Sequence, residues 1–203
     1  MAKIKHTKNE LKAQRESLKR FARYLPMLIL KKQLLQAEIQ AIEARVEEKV
    51  EEERKLREDL DRWVRLFSES SGVEDMTTVL EIKISEGNIA GVALPLYEDV
   101  IFQRRAIDLF ETPAWTDAGV DMIERMIRVR IAVEIYREQL RRVGEELRTT
   151  TQRVNLFEKV KIPECKEHIR VIRIFLGDEQ TAAVARGKIA KSRLDTSATA
   201  NAA

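Results

Sequence analysis

The sequence predicts a mainly α protein: a long antiparallel two-helix coiled coil, made by the N- and C-terminal helices, with a short β-hairpin and small helices in the middle. Three observations predict it. Read in alternating steps of three and four, Leu18, Phe21, Leu25, Leu28, Lys32, Leu35, Ile39, Ile42, Val46, Lys49, Glu53, Leu56, Leu60, Trp63 and Phe67 form an apolar seam that only Lys32, Lys49 and Glu53 interrupt. A second seam, Met122, Met126, Val129, Val133, Tyr136, Leu140, Val143, Leu147, Thr150, Val154 and Phe157, is interrupted only by Thr150. A 3.5-residue period sustained this long is the pattern of helices that wind around one another. Between the two seams the period changes to two: apolar and polar residues alternate in Leu80-Glu81-Ile82-Lys83-Ile84-Ser85, as in a half-buried strand.

The elements follow in order along a single rod-like chain of residues 1–203. Thr7 or Asn9 caps the first helix, with Glu10 in its first turn. That helix runs over 8–68 and bends near Tyr24-Leu25, because Pro26 removes a donor and crowds the preceding turn. Ser68-Glu69-Ser70-Ser71-Gly72 ends it. A middle region, 69–118, holds a β-hairpin at about 79–95, with its turn at Glu86-Gly87-Asn88 and its second strand stopping at Pro95. The rest of the middle reads as irregular, with short helical turns around Ile101 to Phe110. Thr116 or Asp117 caps the C-terminal helix, which spans 119–190 and kinks near Pro163; Cys165, Ile169, Ile172 and Leu176 continue at helical spacing. Residues 192–203 are small and polar and read as a flexible tail. Each long helix, of roughly 50–60 residues, spans about 80 Å at about 1.5 Å per residue.

Composition agrees with long, surface-rich helices. Charged residues make up 35% of the chain and aromatics 5%, with 7 glycines and 4 prolines. The 37 basic and 34 acidic residues leave a net charge of +3, too even for a global nucleic-acid argument. The charges are segregated, however. Residues 1–23 are rich in Lys and Arg, and Glu43 to Asp61 is dominated by acid. A lone cysteine, Cys165, excludes an internal disulfide and points to a reducing compartment. No run of 18 apolar residues exists, and the basic N-terminus lacks the apolar segment of a secretory signal; a soluble cytoplasmic protein is expected.

The sequence offers no chemistry. It has no phosphate loop and no dinucleotide fingerprint. Its two histidines, His6 and His168, and its one cysteine do not make a metal site by spacing. Ser70 and Ser71 have no neighbouring base. Catalytic, cofactor and metal residues are therefore expected to be absent. The acidic waist reads as a solvated helix face, and pairs such as Glu51–Lys55, Glu53–Arg57 and Glu134 and Glu138 against Arg142 read as local helix electrostatics. Trp63 and Trp115 bracket the middle, either as anchors of the hairpin or as a partner interface.

Three segments go beyond a generic coil. They are Thr7-Lys8-Asn9-Glu10-Leu11 with Tyr24-Leu25-Pro26 and Leu30-Lys31-Lys32-Gln33-Leu34-Leu35; Asn88 to Pro95; and Thr149 to Glu158 followed by Ile162-Pro163. In this order and spacing they resemble the D subunit of the V-type/A-type rotary ATPases, the central rotor shaft, in the form found in bacteria. The resemblance implies a non-catalytic shaft that couples ATP hydrolysis or synthesis in a hexamer of A and B subunits to rotation of a membrane ring carrying protons or sodium. It implies an F subunit and a socket subunit above the ring as further partners, with no nucleic acid, no direct membrane insertion and no cofactor. The complex would be cytoplasmic and peripheral to the membrane. Partner contacts are expected at Lys8, Lys12, Arg15, Lys19, Thr151, Arg153, Asn155, Lys159, Lys161, Pro163, Arg170 and Arg173, and the hairpin with Gly87, Asn88, Gly91 and Pro95 is expected to project from the shaft and modulate ATPase activity.

Two rival readings stand beside it. A coiled-coil scaffold or adaptor predicts self-association through the seam. A nucleic-acid or membrane-surface binder predicts salt-dependent binding through the basic end. Neither accounts for polar Thr150 and Asn155 together with Pro163 on a coil.

Overall fold

The computed structural model describes residues 5–63, 76–106 and 112–201. The chain is mainly helical and its elements follow as α1 (Lys8–Trp63), β1 (Thr77–Ile89), β2 (Val92–Arg104), α2 (Thr116–Asn155), a π-helical segment (Leu156–Lys161) and α3 (Ile162–Asn201). Met1–Leu30 and Thr151–Ala203 form one compact unit, and Lys31–Thr150 a second.

Thr7 is the cap of α1: the Glu10 N–H donates to its Oγ1 at 3.2 Å and the Leu11 N–H to its carbonyl at 3.0 Å. The helix passes through Pro26 without a break and is followed to Trp63. Phe67 and the breakers Ser68 to Gly72 lie outside the described residues, as does the side chain of Trp63. Along α1 every seam position from Leu18 to Leu60 is buried or half-buried. Two of its polar members are satisfied locally. Lys49 donates to Glu52 at 2.7 Å, and Glu53 pairs with Arg57 at 3.2 Å.

In the second unit Leu35 and Ile42 of α1, Leu94 of β2 and Val143 of α2 form a buried cluster, with Ile39, Val46, Tyr136, Leu140 and Leu147 packed against it. Burial of such side chains contributes about 1.5–3 kcal/mol each. α2 is buried over more than its seam. Val120, Glu124, Ala132, Ile135 and Gln139 are also covered. Lys31 and Glu146 tie α1 to α2 at 2.5 Å, and Thr150 donates to the same carboxylate at 3.5 Å.

The hairpin is longer than the sequence suggested, and its turn lies elsewhere. The strands pair antiparallel from Thr77↔Arg104 to Ile89↔Val92, with register shifts that leave Leu80 and Glu98 as the extra residues. Glu86, Gly87 and Asn88 lie inside β1; the turn is Ala90-Gly91, with φ of 52° and 83°. Two positive φ values in a two-residue loop match the right-handed twist of the strands. Asn88 supports the turn, its Oδ1 accepting from the Gly91 N–H at 3.0 Å. Gly87 has a different reason to be glycine: a Cβ there would lie 2.8 Å from Leu96 Cδ1. Pro95 does not stop β2. It faces Glu86 at a pair whose backbone groups point away from the partner strand, so its missing N–H costs no ladder bond. Residues 96–104 are strand rather than the irregular stretch expected. Residues 107–110 of the expected helical turns lie outside the described residues.

α2 opens at Thr116, but that hydroxyl is buried without a hydrogen-bond partner, so it is not a cap; Asp117 sits in the first turn. In the first unit Val154, Cys165, Ile169 and Ile172 are buried. The rings of Phe21 and Phe157 meet at 5.0 Å, and those of His6 and Phe175 at 4.7 Å. Ahead of Pro163 the backbone widens into the π segment, whose end is marked by the Ile162 N–H bonding the Phe157 carbonyl five residues back. The widened turns accommodate a residue that has no N–H to give. α3 then continues to Asn201, through the tail expected to be flexible. The tail carries Ala198 and Ala200, the best helix-forming residue type.

Candidate partner-binding surfaces

The first unit carries the residues at which partner contacts were expected. Lys8, Lys12, Arg15 and Lys19 of α1 are exposed, as are Arg153, Asn155, Lys159, Pro163, Arg170 and Arg173; Thr151 and Lys161 are half-buried. These residues divide into paired and free cations. Arg170 holds Glu167 through two hydrogen bonds, Nε to Oε2 at 2.9 Å and Nη2 to Oε1 at 2.6 Å, which keeps the carboxyl below its usual range. Lys161 pairs with Glu164 at 3.1 Å. Arg15 and Lys19 meet Lys166 and Arg173 around one groove of about 390 Å³, floored by Leu18 and Ile169. None of those four has an ion-pair partner among the described residues, whereas Lys161 and Arg170 do. Lys166 was not among the residues the sequence singled out. Its signal was available: it lies seven positions before Arg173, two turns along one helix face. A second groove, of about 250 Å³, is lined by Gln14, Ser17, Phe21, Lys161, Cys165 and His168 among others. Burial pushes the Cys165 thiol up, so it is less nucleophilic than an ordinary cysteine.

In the second unit the hairpin is fixed to α2 at both ends. Near the turn, Gln139 Nε2 donates to the Pro95 carbonyl at 2.5 Å and Arg142 Nη1 to the Ala93 carbonyl at 3.2 Å. At the open end, the buried carboxylate of Glu124 accepts from Thr77 Oγ1 at 3.0 Å and from Arg104 Nε at 2.7 Å. Asp121 takes another Arg104 nitrogen at 2.6 Å. The hydrogen bond from Arg104 holds Glu124 below the usual carboxylate range, against the opposing effect of burial. On α2, Arg141 and Arg142 converge on Glu138, which is lowered to about 2. Of the expected hairpin residues, Gly91 lies in the turn, Asn88 supports it from β1, and Gly87 and Pro95 sit in the strands. Between the hairpin and α2, Ile82, Ile84, Pro95, Ile131 and Ile135 line a largely apolar groove of about 520 Å³, edged by Arg130, Glu134, Glu138 and Arg142. Trp115 is half-buried.

Among the described residues no three His, Cys, Asp or Glu side chains are grouped to hold a metal ion. No described helix is long and apolar enough to cross a membrane.

Comparison with known proteins accounts for nearly the whole chain. The family of ATP synthase D subunits matches residues 10–192. The D subunit of the V-type ATP synthase of Borreliella burgdorferi is 46% identical over 194 residues, covering 96% of this chain and 96% of that protein. Its namesake in Chlamydia muridarum is 35% identical over 196 residues, covering 95% and 97%. The match spans both compact units and the hairpin, and the chain belongs to the family of ATP synthase D subunits.

Proposed function

We propose that this chain is the central-stalk rotor component of a V/A-type ion-translocating ATPase, coupling ATP hydrolysis or synthesis in a hexamer of A and B subunits to rotation of a membrane ring. The observation that carries this reading is the family match over residues 10–192. In this reading, α1 and the α2–α3 run wind together as an antiparallel coiled coil. The protein performs no chemistry itself; its asymmetric contacts make otherwise equivalent catalytic sites differ. The complex sits on the cytoplasmic face of a membrane and is peripheral to it.

Two features support the mechanism. Seam positions are buried or half-buried on both α1 and α2, which suits a shaft that must carry torque. The free cations of the first unit, Lys8, Lys12, Arg15, Lys19, Arg153, Lys159 and Arg173, suit contacts with carboxylates of the hexamer that are attractive yet easily exchanged as the shaft turns. Thr151, Asn155, Lys161, Pro163 and Arg170 of the same unit are the other contacts of this reading. The F subunit and the socket subunit bind the second unit, and the hairpin modulates ATPase activity.

The test is reconstitution. Purified A and B subunits are mixed with this chain, with and without the F subunit, and followed by size exclusion and ATPase assay. The reading expects one copy of the chain per hexamer and altered ATPase activity. Elution of the chain alone as a homo-oligomer, with the hexamer's activity untouched, sinks it.

A further inference from the structure

The groove between Arg15, Lys19, Lys166 and Arg173 holds four cations, no carboxylate in its lining and an apolar floor of Leu18 and Ile169. Like charges gathered in this way repel one another unless an anion lies among them. At Lys161 and Arg170 of the same unit the chain supplies an anion itself, Glu164 and Glu167; to the four cations gathered here it supplies none among the described residues. We propose that this groove binds the phosphate chain of a tri- or polyphosphate.

The shape favours a linear polyanion over a single phosphate. Arg15 and Lys19 are four residues apart on α1, about 6 Å along the axis, and Lys166 and Arg173 are seven apart on α3, about 10 Å. The cations are thus spread along two helices, over a span that several linked phosphates can reach and one phosphate cannot fill. Each helix contributes one arginine, whose planar fork takes two oxygens at once, and one lysine, a compact point charge. The Leu18 and Ile169 floor keeps water from one side of the array and strengthens attraction there. No aromatic side chain lines the groove, so a nucleobase has no ring on which to stack. The phosphate chain is therefore what is recognised, whether it comes as an inorganic polyphosphate or as the tail of a nucleotide. The inference does not rest on the shaft reading, and it is tested on the isolated chain; Arg15, Lys19 and Arg173 are shared with the proposed hexamer contacts, so a bound polyanion would compete with those carboxylates.

Calorimetric titration of the full chain with sodium tripolyphosphate, and in parallel with metal-free ATP, tests it. Saturable binding to one site is expected, weakening steeply between about 50 and about 200 mM salt. Arg15→Gln with Arg173→Gln should weaken it by about tenfold or more, and the Lys pair at the same positions should recover part of the loss. Arg20→Gln with Arg23→Gln removes the same charge outside the groove and should change affinity by about twofold at most. All four positions are exposed, and circular dichroism checks that the variants keep their helix. Absent or non-saturable binding, or equal losses in both Gln pairs, overturns the site in favour of diffuse attraction. ATP binding about tenfold tighter than tripolyphosphate overturns the assignment to the phosphate chain alone.

Discussion

Arg104, the last residue of β2, grips the buried carboxylate of Glu124 with two parallel hydrogen bonds, Nε to Oε1 at 2.7 Å and Nη2 to Oε2 at 2.8 Å. Thr77, the register partner of Arg104 on β1, donates to the same Oε1. One carboxylate on α2 thus holds the open end of both strands. Glu124→Gln removes the charge and one acceptor oxygen while keeping the shape. The expected cost is about 2 kcal/mol, the range for hydrogen bonds to a charged group. Hydrogen exchange should show the loss in the amides around Thr77 and Arg104 rather than in α1. Unchanged exchange at those strand ends would mean that the clamp does not hold them.

The same carboxylate makes a pH prediction. Its folded pKa is depressed, first by the hydrogen bond from Arg104. A depressed carboxylate stabilises the fold above its unfolded value, near 4.5, and that contribution disappears as pH falls through the folded value. Melting temperatures of the wild type and Glu124→Gln should therefore differ at neutral pH and converge in acid. A constant gap down to about pH 3 contradicts the assignment. Glu138, lowered to about 2, is solvent-exposed, so screening leaves it little part in this trend.

Leu34 and Leu35 are adjacent and opposite in environment, 53% and 0% exposed. Leu35→Ala empties a site in the central cluster and should cost about 2–5 kcal/mol in urea unfolding. Leu34→Ala should change stability by less than about 0.5 kcal/mol. Similar losses at both would mean that the seam is not the buried face.

The seam was legible because burial on a helix is written in spacing, and Leu18 to Leu60 fall on the buried side at every step, polar Lys32, Lys49 and Glu53 included. The Thr116/Asp117 region as a helix start and Thr7 as a cap were equally readable. The hairpin was not. Gly87 between Glu86 and Asn88 imitates a turn, yet it lies in β1 against the Leu96 side chain, and the real turn uses Ala90, a residue with no turn preference. Pro95 looked like a terminator because sequence does not say which pairs of a ribbon point their backbone outward. Lys166 shares a helix face with Arg173, which spacing shows, but its place beside Arg15 and Lys19 appears only when α3 is set against α1.

The turn itself carries a prediction. Gly91 has φ of 83° and Ala90 of 52°, so the loop already strains one Cβ. Gly91→Ala strains a second and should cost about 1–2 kcal/mol. Ala90→Gly relieves the first and should be neutral or stabilising in thermal melts. A stabilising Gly91→Ala would be incompatible with a turn that needs positive φ at both positions.

The π segment predicts how the first unit tolerates changes in length. An α-helix closes its hydrogen bonds over four residues and a π turn over five, so each π turn holds one residue more. This is why Phe157, Lys161, Cys165 and Ile169, in successive steps of four, stay on the covered side where a heptad would have shortened one step. Removing the exposed Val160 together with Pro163→Ala should let the segment close into ordinary α-helix with Cys165 still covered. Inserting an alanine after Glu158 adds a residue that the widened turns have no room for and should rotate α3 by about 100°. Reaction of the single thiol with a chromogenic disulfide reports the difference. Cys165 is buried and its thiol pushed up, so labelling should be slow in the wild type and in the deletion, and fast in the insertion. Fast labelling of the deletion variant would show that the extra residue is needed to keep the α3 seam in place, rather than being an accommodation of Pro163.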